Sequence, residues 1–459
     1  MTDPRTVLAI PAALHAKLQA HLFPGDGLEA AAVLVCSRHR GRRERFIVRD
    51  VVLAPHEDCR RQIHAVTWPG AVLEAAVDLA EDDSSSLIAI HAHPSGLWGF
   101  SSIDDVSDSE VMPALHAAIT VSHGAAIMIP NGAIRARIYP PDGGCHDVEL
   151  VTSAGSDIQF WWSDQSPDKC RPMAFTSDMT AELGRLSAFA VGASGTGSPT
   201  IEQIGRLGFG VIGMADFDKV ELKNLNRILN TSLGDAEANA LKVAVLEAAL
   251  KRHRPAAQVV AEPRSILERE AILAAAEADI LFCCTDSHVS RSVCDKIAAA
   301  FCIPLIDMGV TILTGCGGTE ITDVVGRVDY VQPGGATLAD REVYTPASLA
   351  AEDLARTDPE HHAQQVREGY MKGRHEEAPA VITLNLRVAS AAVMEFIARA
   401  YPFRHEPNDL YARTMFSLAA MEEDHTPEGK FRRRPNPLLG RGSKEPLLNM
   451  LSLKRKRSQ

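Results

Sequence analysis

Residues 188–197 read Ala-Phe-Ala-Val-Gly-Ala-Ser-Gly-Thr-Gly, an apolar run that leads directly into a glycine-rich turn. Helical patterning follows at 201–207, so the stretch predicts a strand, a tight loop and a helix in succession. Glycines in such a loop let the backbone approach a phosphate, and the helix N-terminus adds partial positive charge. Ser194 occupies the second glycine position of the dinucleotide-binding pattern, and the chain contains no P-loop sequence, so neither of those two phosphate-binding motifs is present.

Short apolar strands and helices alternate from this stretch to about residue 310. Such alternation predicts an α/β fold whose parallel sheet carries helices on both faces. The predicted strands are 188–191, 210–215, 259–260, 280–284 and 304–306, and the predicted helices are 201–207, 236–252, 266–277 and 289–300. Beyond this region we expect a strand at 319–331 and helices at 347–367 and 382–400.

Charged side chains follow the ends of the predicted strands. Asp216 comes directly after the second strand, where a carboxylate can accept a ribose hydroxyl. Arg227 and Lys242 lie beyond it and can neutralise a triphosphate. Asp286 follows a later strand, where a carboxylate can hold Mg²⁺ against that triphosphate. Together these positions predict a site for ATP.

The order and spacing of these residues resemble the ThiF superfamily, which includes ubiquitin-activating enzymes, over roughly residues 187–400. The resemblance implies a Rossmann-like domain that adenylates the C-terminal carboxylate of a ubiquitin-like protein and releases pyrophosphate. It also implies a homodimer formed through this domain, and the predicted helix at 382–400 is a candidate for the interface. The residues that it assigns are Gly192, Gly195 and Gly197 to the phosphate loop, Asp216 to ribose, Asn224, Arg227 and Lys242 to the triphosphate, and Asp286 to Mg²⁺.

Several residues could accept the activated acyl group. Relatives that form a thioester carry cysteine in the crossover loop, but residues 333–340 here read Pro-Gly-Gly-Ala-Thr-Leu-Ala-Asp. A threonine hydroxyl is a poor nucleophile without an activating base. Three possibilities stay open, namely direct transfer from the adenylate, an oxyester on Thr337, and a thioester on another thiol such as Cys316. The arginine that the partner subunit often supplies in this family has only two candidates here, Arg171 and Arg185.

A second group of polar residues lies at 91–104, which read His-Ala-His-Pro-Ser-Gly-Leu-Trp-Gly-Phe-Ser-Ser-Ile-Asp. An apolar run at 87–90 precedes it and predicts a strand. Residues two apart on a strand share one face, so His91 and His93 point the same way. With Asp104 they supply three of the four ligands of a tetrahedral zinc ion. The open fourth position is typical of a catalytic site.

This pattern, H-x-H-P-x6-S-x2-D, resembles the JAMM signature of the JAB/MPN metalloproteases. The resemblance implies that His91, His93 and Asp104 bind zinc. It further implies that Glu29 is the general base and that Ser101 stabilises the oxyanion. Known members cut peptide or isopeptide bonds next to ubiquitin-like proteins, and the surrounding residues predict an α+β domain for this half of the chain.

Composition sets the remaining bounds. The chain has 459 residues, of which 46% are hydrophobic and 23% charged, as expected for two or three globular domains. No apolar stretch is long enough to span a membrane, and the N-terminus lacks a secretory pattern. Nine scattered cysteines without a CxxC motif favour a reducing cytoplasm. The net charge of −12 disfavours nucleic-acid binding by the folded part, although ten of residues 430–459 are Lys or Arg.

We therefore expect a JAB/MPN-like domain at 1–150, a linker at 151–186, a ThiF-like domain at 187–410 and a flexible basic tail at 411–459. The expected function is ATP-dependent activation of a ubiquitin-like protein, fused to a zinc protease that processes the same modifier. The resemblance implies a bacterial conjugation pathway that serves antiviral defence, with a conjugating enzyme as a further partner. The alternatives are activation of a sulfur carrier for cofactor biosynthesis, and a scaffold in which one unit is inactive.

Overall fold

The structure is a computed structural model that describes residues 5–166, 171–315, 320–361 and 381–454. These residues form two compact units. The N-terminal unit contains the described residues up to Arg171 together with 299–302 and 436–454, and the central unit contains the described residues of 172–298 and 303–435. Each unit has its own large β-sheet.

The N-terminal unit is built on a nine-stranded sheet with the order β11-β10-β1-β3-β2-β6-β7-β8-β9. Strands β4 and β5 form a separate two-stranded ribbon. The strands are β1 (Thr6–Pro11), β2 (Ala31–Arg40), β3 (Glu44–Leu53), β4 (Arg60–Arg61), β5 (Val66–Thr67), β6 (Ser86–Ala92), β7 (His123–Met128), β8 (Ile134–Tyr139), β9 (His146–Asp147), β10 (Leu150–Ala154) and β11 (Ile158–Trp162). The helices are α1 (Ala12–Leu22), α2 (Gly70–Glu81) and α3 (Ser102–Ala118), with a 3-10 turn at His56–Asp58.

Both faces of this sheet are covered. Alternate residues of β2 point to opposite faces, so that Leu34 joins one buried cluster while Val33 joins the other. The first cluster includes Leu18 of α1, and the second includes Val72 of α2 and Leu115 of α3. The near-continuous apolar runs of β1, β2 and β7 are therefore those of strands buried on both sides.

The linker expected at 151–186 is wrong in its first part. Strand β10 pairs in parallel with β1, with Leu150 opposite Val7, and β11 pairs with β10 in antiparallel fashion. Trp162 is buried at the end of β11. Because β10 pairs with a strand about 140 residues earlier in the chain, local patterning did not reveal that this segment extends the first sheet.

The central unit has an eight-stranded sheet with the order β14-β13-β12-β15-β16-β17-β18-β19. Pairs from β14 to β16 are parallel and those from β16 to β19 are antiparallel, which confirms the predicted Rossmann-like fold with a mostly parallel sheet. The strands are β12 (Ser187–Val191), β13 (Val211–Ala215), β14 (Gln258–Glu262), β15 (Ile280–Cys283), β16 (Leu305–Thr314), β17 (Ile321–Val331), β18 (Arg413–Ser417) and β19 (Glu422–Thr426). The helices are α4 (Ser177–Leu183), α5 (Gly197–Leu207), α6 (Leu233–Glu237), α7 (Lys242–His253), α8 (Arg269–Ala275), α9 (His288–Phe301), α10 (Pro346–Thr357) and α11 (Ile382–Ala400). Short 3-10 turns of this unit lie at Leu222–Asn224, Asn408–Tyr411 and Glu428–Lys430, and two more, at Leu447–Asn449 and Leu451–Leu453, belong to the N-terminal unit.

The register of the central strands brings the loops that follow them together. Val191 at the end of β12 pairs with Ala215 at the end of β13 and with Cys283 at the end of β15. The segments that begin at residues 192, 216 and 284 therefore leave the sheet at the same edge. In open parallel sheets this is where ligands bind.

Helix α11 spans the range predicted for it, but its apolar face is already used. Twelve of its residues are buried, and it packs against α5, β16 and β17 of the same unit. The apolar face of this helix therefore belongs to the unit's own core, and a dimer interface on the rest of the helix stays a prediction. Within the described ranges, no helix combines the length and the apolar character that crossing a bilayer requires.

The flexible tail expected at 411–459 is also wrong for the part that the structure describes. Strands β18 and β19 extend the central sheet, and residues 436–453, which we call the closing segment, pack within the N-terminal unit. The Ser37 hydroxyl donates a hydrogen bond to the Gly440 carbonyl over 2.6 Å, and Lys444 pairs with Asp83 at 2.8 Å. These contacts join residues some 360 or more positions apart, so they leave no local pattern in the sequence.

The closing segment also contributes apolar residues to the interior. Leu447 is fully buried, whereas Leu451, four residues later, is 82% exposed. We expect Leu447→Ala to lower the free energy of unfolding by about 2–5 kcal/mol, because it leaves a cavity as well as losing apolar burial. Leu451→Ala should change it by less than about 0.5 kcal/mol. Thermal or denaturant unfolding of the two variants checks this, and equal effects would show that the segment is not packed.

Candidate active sites

The first site lies where β2 and β6 meet in the N-terminal unit. Ala31 of β2 pairs with His91 of β6, and the same antiparallel register carries Glu29 towards His93. The backbone N–H of His93 donates to the Met128 carbonyl over 2.8 Å, which continues the ladder past the end of β6. Backbone pairing thus fixes three of the residues predicted for a zinc site.

The side chains of these residues converge. The Nε2 atoms of His91 and His93 are 3.0 Å apart, Nε2 of His91 is 3.0 Å from Oδ1 of Asp104, and Nε2 of His93 is 3.5 Å from Oδ2 of Asp104. Ligand atoms about 2.0–2.1 Å from a tetrahedral zinc ion lie about 3.3 Å from one another. Suitable ligand atoms of Glu29, His91 and His93 also lie within 4.8 Å of one another. The donor set therefore fits a metal ion of this size.

Neighbouring groups orient these ligands. Nδ1 of His93 lies 2.9 Å from the Leu97 carbonyl, to which it donates, and this leaves the Nε2 lone pair free for a metal. Asp104 accepts a hydrogen bond from the backbone N–H of Ser101 over 2.5 Å. Although burial opposes it, hydrogen bonding to His91 and His93 holds the pKa of Asp104 well below its usual range. An ionised carboxylate beside imidazole nitrogens is a typical ligand set for zinc.

Ser101 has a structural role as well as its predicted one. It is the N-cap of α3, and its hydroxyl oxygen accepts a hydrogen bond from the Asp104 backbone N–H over 3.3 Å. A hydroxyl that accepts in this way still has a proton to donate. The capping contact therefore leaves room for the predicted role at an oxyanion.

Glu29 is held by its backbone. Its N–H donates to the Gln62 carbonyl over 2.8 Å, and its carbonyl accepts from Nε of Arg61 over 2.9 Å. Burial raises the pKa of the Glu29 carboxyl, while the nearby His91 and His93 oppose this shift. A carboxylate with a raised pKa next to a candidate metal site can accept and return a proton.

The second site is a cavity of about 1800 Å³ at the sheet edge of the central unit. Seven of the eight residues predicted to bind nucleotide or Mg²⁺ line it; these are Gly192, Gly195, Asp216, Asn224, Arg227, Lys242 and Asp286. The eighth, Gly197, opens helix α5 and is buried below the loop. Residues that lie up to 94 positions apart in the chain thus face one space.

The loop that crosses the base of this cavity needs its glycines. Gly192 has φ +93°, and a Cβ there would lie 2.9 Å from the Cys284 carbonyl oxygen. A Cβ on Gly197 would collide with the carbonyl oxygen of Gly192. Ser194 is not among the non-glycine residues with positive φ in the described part of the chain, so a serine is tolerated there.

Asp216 ties this loop to the second strand. One carboxylate oxygen accepts from the Ala193 N–H over 2.7 Å, and the other accepts from the Asp218 N–H over 2.8 Å. Burial raises the pKa of Asp216, whereas the charge of Lys242 and the two backbone hydrogen bonds oppose that shift. Each carboxylate oxygen has a further lone pair, so Asp216 can still accept a ribose hydroxyl.

Lys242 and Arg227, the two cationic side chains predicted to bind the triphosphate, differ in burial and in their partners. Nζ of Lys242 is buried and pairs with Asp218 at 2.7 Å. Arg227 is half-buried, and its Nη1 donates to the Lys223 carbonyl over 3.0 Å and to the Asn226 side chain over 3.2 Å. Both side chains line the cavity, where their charges can face a triphosphate.

Asn224 and Asp286 differ in burial and in their hydrogen-bonding partners. Oδ1 of buried Asn224 accepts from the Glu221 N–H over 3.1 Å and stabilises the turn that carries Arg227. Asp286 is exposed at the cavity, and its carboxylate has no partner among the residues that the structure describes. A single free carboxylate is what a Mg²⁺ ion needs when phosphate oxygens and water supply the other ligands.

Thr337 lies outside the cavity lining. Its hydroxyl donates to Oδ2 of Asp340 over 3.0 Å and accepts from the Asp340 N–H over 3.1 Å, so it stabilises the turn that follows. Arg171 and Arg185 do not line the cavity either. Cys316 is outside the described residues. The identity of an acyl-accepting residue therefore stays a prediction.

Asn385 is one of the cavity residues that sequence reasoning missed. It lies on α11 and lines the cavity, although it is separated from the glycine loop by almost 190 residues. The available signal was a single amide among the apolar residues of the first half of the helix, where Leu384, Val388 and Ala389 are buried beside it.

Two known protein families match the two parts of the chain that hold these sites. Residues 170–428, more than half of the chain, match the profile of the ThiF family. The chain belongs to the ThiF family. Residues 11–136 match the profile of the prokaryotic homologs of the JAB domain, so this member of the ThiF family is fused to a JAB-like domain, as predicted.

Curated relatives match only part of the chain. An adenylyltransferase and sulfurtransferase UBA4 of Meyerozyma guilliermondii is 30% identical over 128 residues, which are 27% of this chain and 29% of that protein. A sulfur carrier protein adenylyltransferase of Thermus thermophilus is 29% identical over 125 residues, which are 27% of this chain and 45% of that protein. The chain thus spans less than half the length of either relative. Among solved structures, E. coli MccB with ATP has 16% identity and a TM-score of 0.43 over 57% of this chain and 68% of that chain.

Proposed function

We propose that the central unit of this ThiF-family protein uses ATP to adenylate the C-terminal carboxylate of a small carrier protein of the ubiquitin-like or sulfur-carrier class. The observation that carries the proposal is the convergence of Asp216, Arg227, Lys242 and Asp286 on one cavity beside a glycine loop. The names of the relatives, which are adenylyltransferases, support the same reaction.

The reaction follows from what these side chains can do. A carboxylate oxygen of the carrier attacks the α-phosphorus of ATP, the bond to the β-phosphate breaks, and pyrophosphate leaves with the electron pair. No proton has to be moved, so the chain contributes positioning and charge. Arg227 and Lys242 neutralise phosphate oxygens while Asp216 fixes the ribose. Mg²⁺ held by Asp286 would neutralise further phosphate charge.

Exchange of labelled pyrophosphate into ATP tests this proposal directly. Purified protein is mixed with ATP, Mg²⁺ and candidate carriers, and exchange is expected only with a carrier whose terminal carboxylate is free. The matched control is the same carrier with an amidated C-terminus, which cannot form an acyl-adenylate. Exchange that proceeds equally with the amidated carrier, or no exchange with any ubiquitin-like or sulfur-carrier protein, would refute the proposal.

A second proposal concerns the N-terminal unit, whose metal-sized cluster favours a zinc-dependent hydrolase that cleaves next to the same carrier. His91, His93 and Asp104 would hold the ion, which when bound polarises the scissile carbonyl and lowers the pKa of water. Glu29 would accept a proton from the attacking water and return it to the leaving amine. The hydroxyl of Ser101 would donate a hydrogen bond to the oxyanion.

Metal content tests the ligand set without any assay of activity. We expect about one zinc ion per chain in the purified protein by elemental analysis, because the donor spacing suits a tetrahedral site. His93→Ala should lose most of it. His116→Ala is the control, because Nε2 of that histidine donates to the Tyr139 carbonyl over 3.0 Å and the residue lies outside the cluster. A wild-type chain that takes up no zinc would refute this second proposal.

A further inference from the structure

Among the described residues, Asn385 is the one member of the cavity lining that comes from α11. The whole residue is only 2% exposed, yet its amide borders the cavity. Its side chain has no hydrogen-bonding partner among the described residues of the chain. The amide therefore has both donors and its acceptor oxygen available to whatever occupies the cavity.

The Asn385 amide lies close to the glycine loop. A Cβ built on Gly195 would lie 2.5 Å from Nδ2 of Asn385 and 3.6 Å from Cδ of Arg227. Both the amide and the arginine side chain therefore lie close to Gly195, and any larger residue there would collide with Asn385. Helix α11 packs against α5, the helix that the loop opens, and this packing holds the amide in place.

Charge and chemistry decide what the amide can bind. Its Nδ2 group carries two donors and faces a loop that lies in the same cavity as Arg227 and Lys242. A donor among cations suits an anionic oxygen, and phosphate oxygens accept such bonds strongly. An acceptor of this kind would also satisfy the buried amide.

We propose that Asn385 is a nucleotide-binding residue that donates a hydrogen bond from Nδ2 to a phosphate oxygen of ATP held over residues 192–197. This inference rests on the proposed adenylation function, since it assumes that ATP occupies the cavity. It assigns to α11 a part in ligand binding that is independent of the strand-end residues. The contact depends on the phosphates, so it should not contribute to binding of the nucleoside alone.

The test compares two probes, adenosine and a non-hydrolysable ATP analogue with Mg²⁺, by calorimetry. Asn385→Ala should weaken binding of the ATP analogue about 10- to 100-fold, which is the loss expected for one hydrogen bond to a charged group. Asn385→Asp should weaken it further, because a carboxylate there repels phosphate. Affinity for adenosine should stay within about twofold in both variants, as should the analogue affinity of Thr383→Ala, an exposed position on the same helix.

The outcomes separate this inference from the function beneath it. Wild-type protein that binds neither probe refutes the adenylation proposal and this inference together. Wild-type protein that binds the analogue while Asn385→Ala binds it equally well overturns this inference alone. Equal losses for adenosine and the analogue would also overturn it, because they would show that Asn385 only supports the shape of the cavity.

Discussion

Arg227→Ala is expected to lower the rate of ATP–pyrophosphate exchange by about 10²–10³-fold, the usual cost of removing one charged donor from a preorganised site. The guanidinium borders the cavity beside the glycine loop, where it can face the α-phosphate region of ATP. Folding should be little affected. Arg227 is half-buried, and within the described ranges its guanidinium donates to the neighbouring Lys223 carbonyl and Asn226 side chain.

Two further variants sharpen this prediction. Arg227→Lys keeps the charge but loses the planar fork that binds two phosphate oxygens, so its exchange rate should fall between wild type and alanine. Arg206→Ala removes an exposed arginine of α5 that pairs with Glu202 at 2.7 Å, and it should exchange normally. If Arg227→Ala kept the wild-type rate, the arginine would have no place in the reaction.

Glu29→Gln is expected to lower kcat/KM for cleavage by about 10²–10⁴-fold, the range of effects for losing a general base. The amide has nearly the same shape as the carboxylate and keeps the backbone hydrogen bonds to Gln62 and Arg61, so the local structure should survive. Cleavage is measured on a carrier protein extended by a short C-terminal peptide. Zinc content, measured on the same sample, should remain close to that of the wild type.

The matched control is Glu81→Gln at the exposed end of α2, which should cleave normally. The pairing of the two readouts is what makes this test specific. A Glu29→Gln variant that has lost its zinc would make Glu29 a ligand. A variant that cleaves at the wild-type rate with its zinc in place would remove Glu29 from the role of base.

The site residues that sequence reasoning identified share one property, which is that short motifs and strand ends in the sequence mark them. His91 and His93 are two residues apart on a predicted strand, and Asp216 directly follows another predicted strand. The alternation of side chains along a strand and the clustering of strand ends were therefore enough to make these residues candidates for a site. The parallel sheet of the central unit was predictable for the same reason, because strands and helices alternate along the chain.

Features that depend on distant pairing could not be predicted in this way. Strand β10 is defined by β1, and Asn385 faces Gly195 only because α11 packs on α5. Thr337 looked like a substitute nucleophile from its position in a motif, but its hydroxyl is engaged with Asp340. Hydrogen-bond partners of this kind depend on three-dimensional neighbours, about which residue spacing carries little information.

The path of the chain has a practical consequence for anyone who wishes to study either half alone. Since the N-terminal unit is completed by residues 436–454, the central unit is inserted into it, and one cut in the polypeptide cannot yield two intact pieces. A fragment that stops at residue 171 would lack Leu447 and the partners of Ser37 and Asp83. Joining residue 171 to residue 436 through a spacer would restore them, but it would still lack residues 299–302, whose carbonyls at Ala299 and Ala300 accept hydrogen bonds from the backbone N–H groups of Gly440 and Gly442.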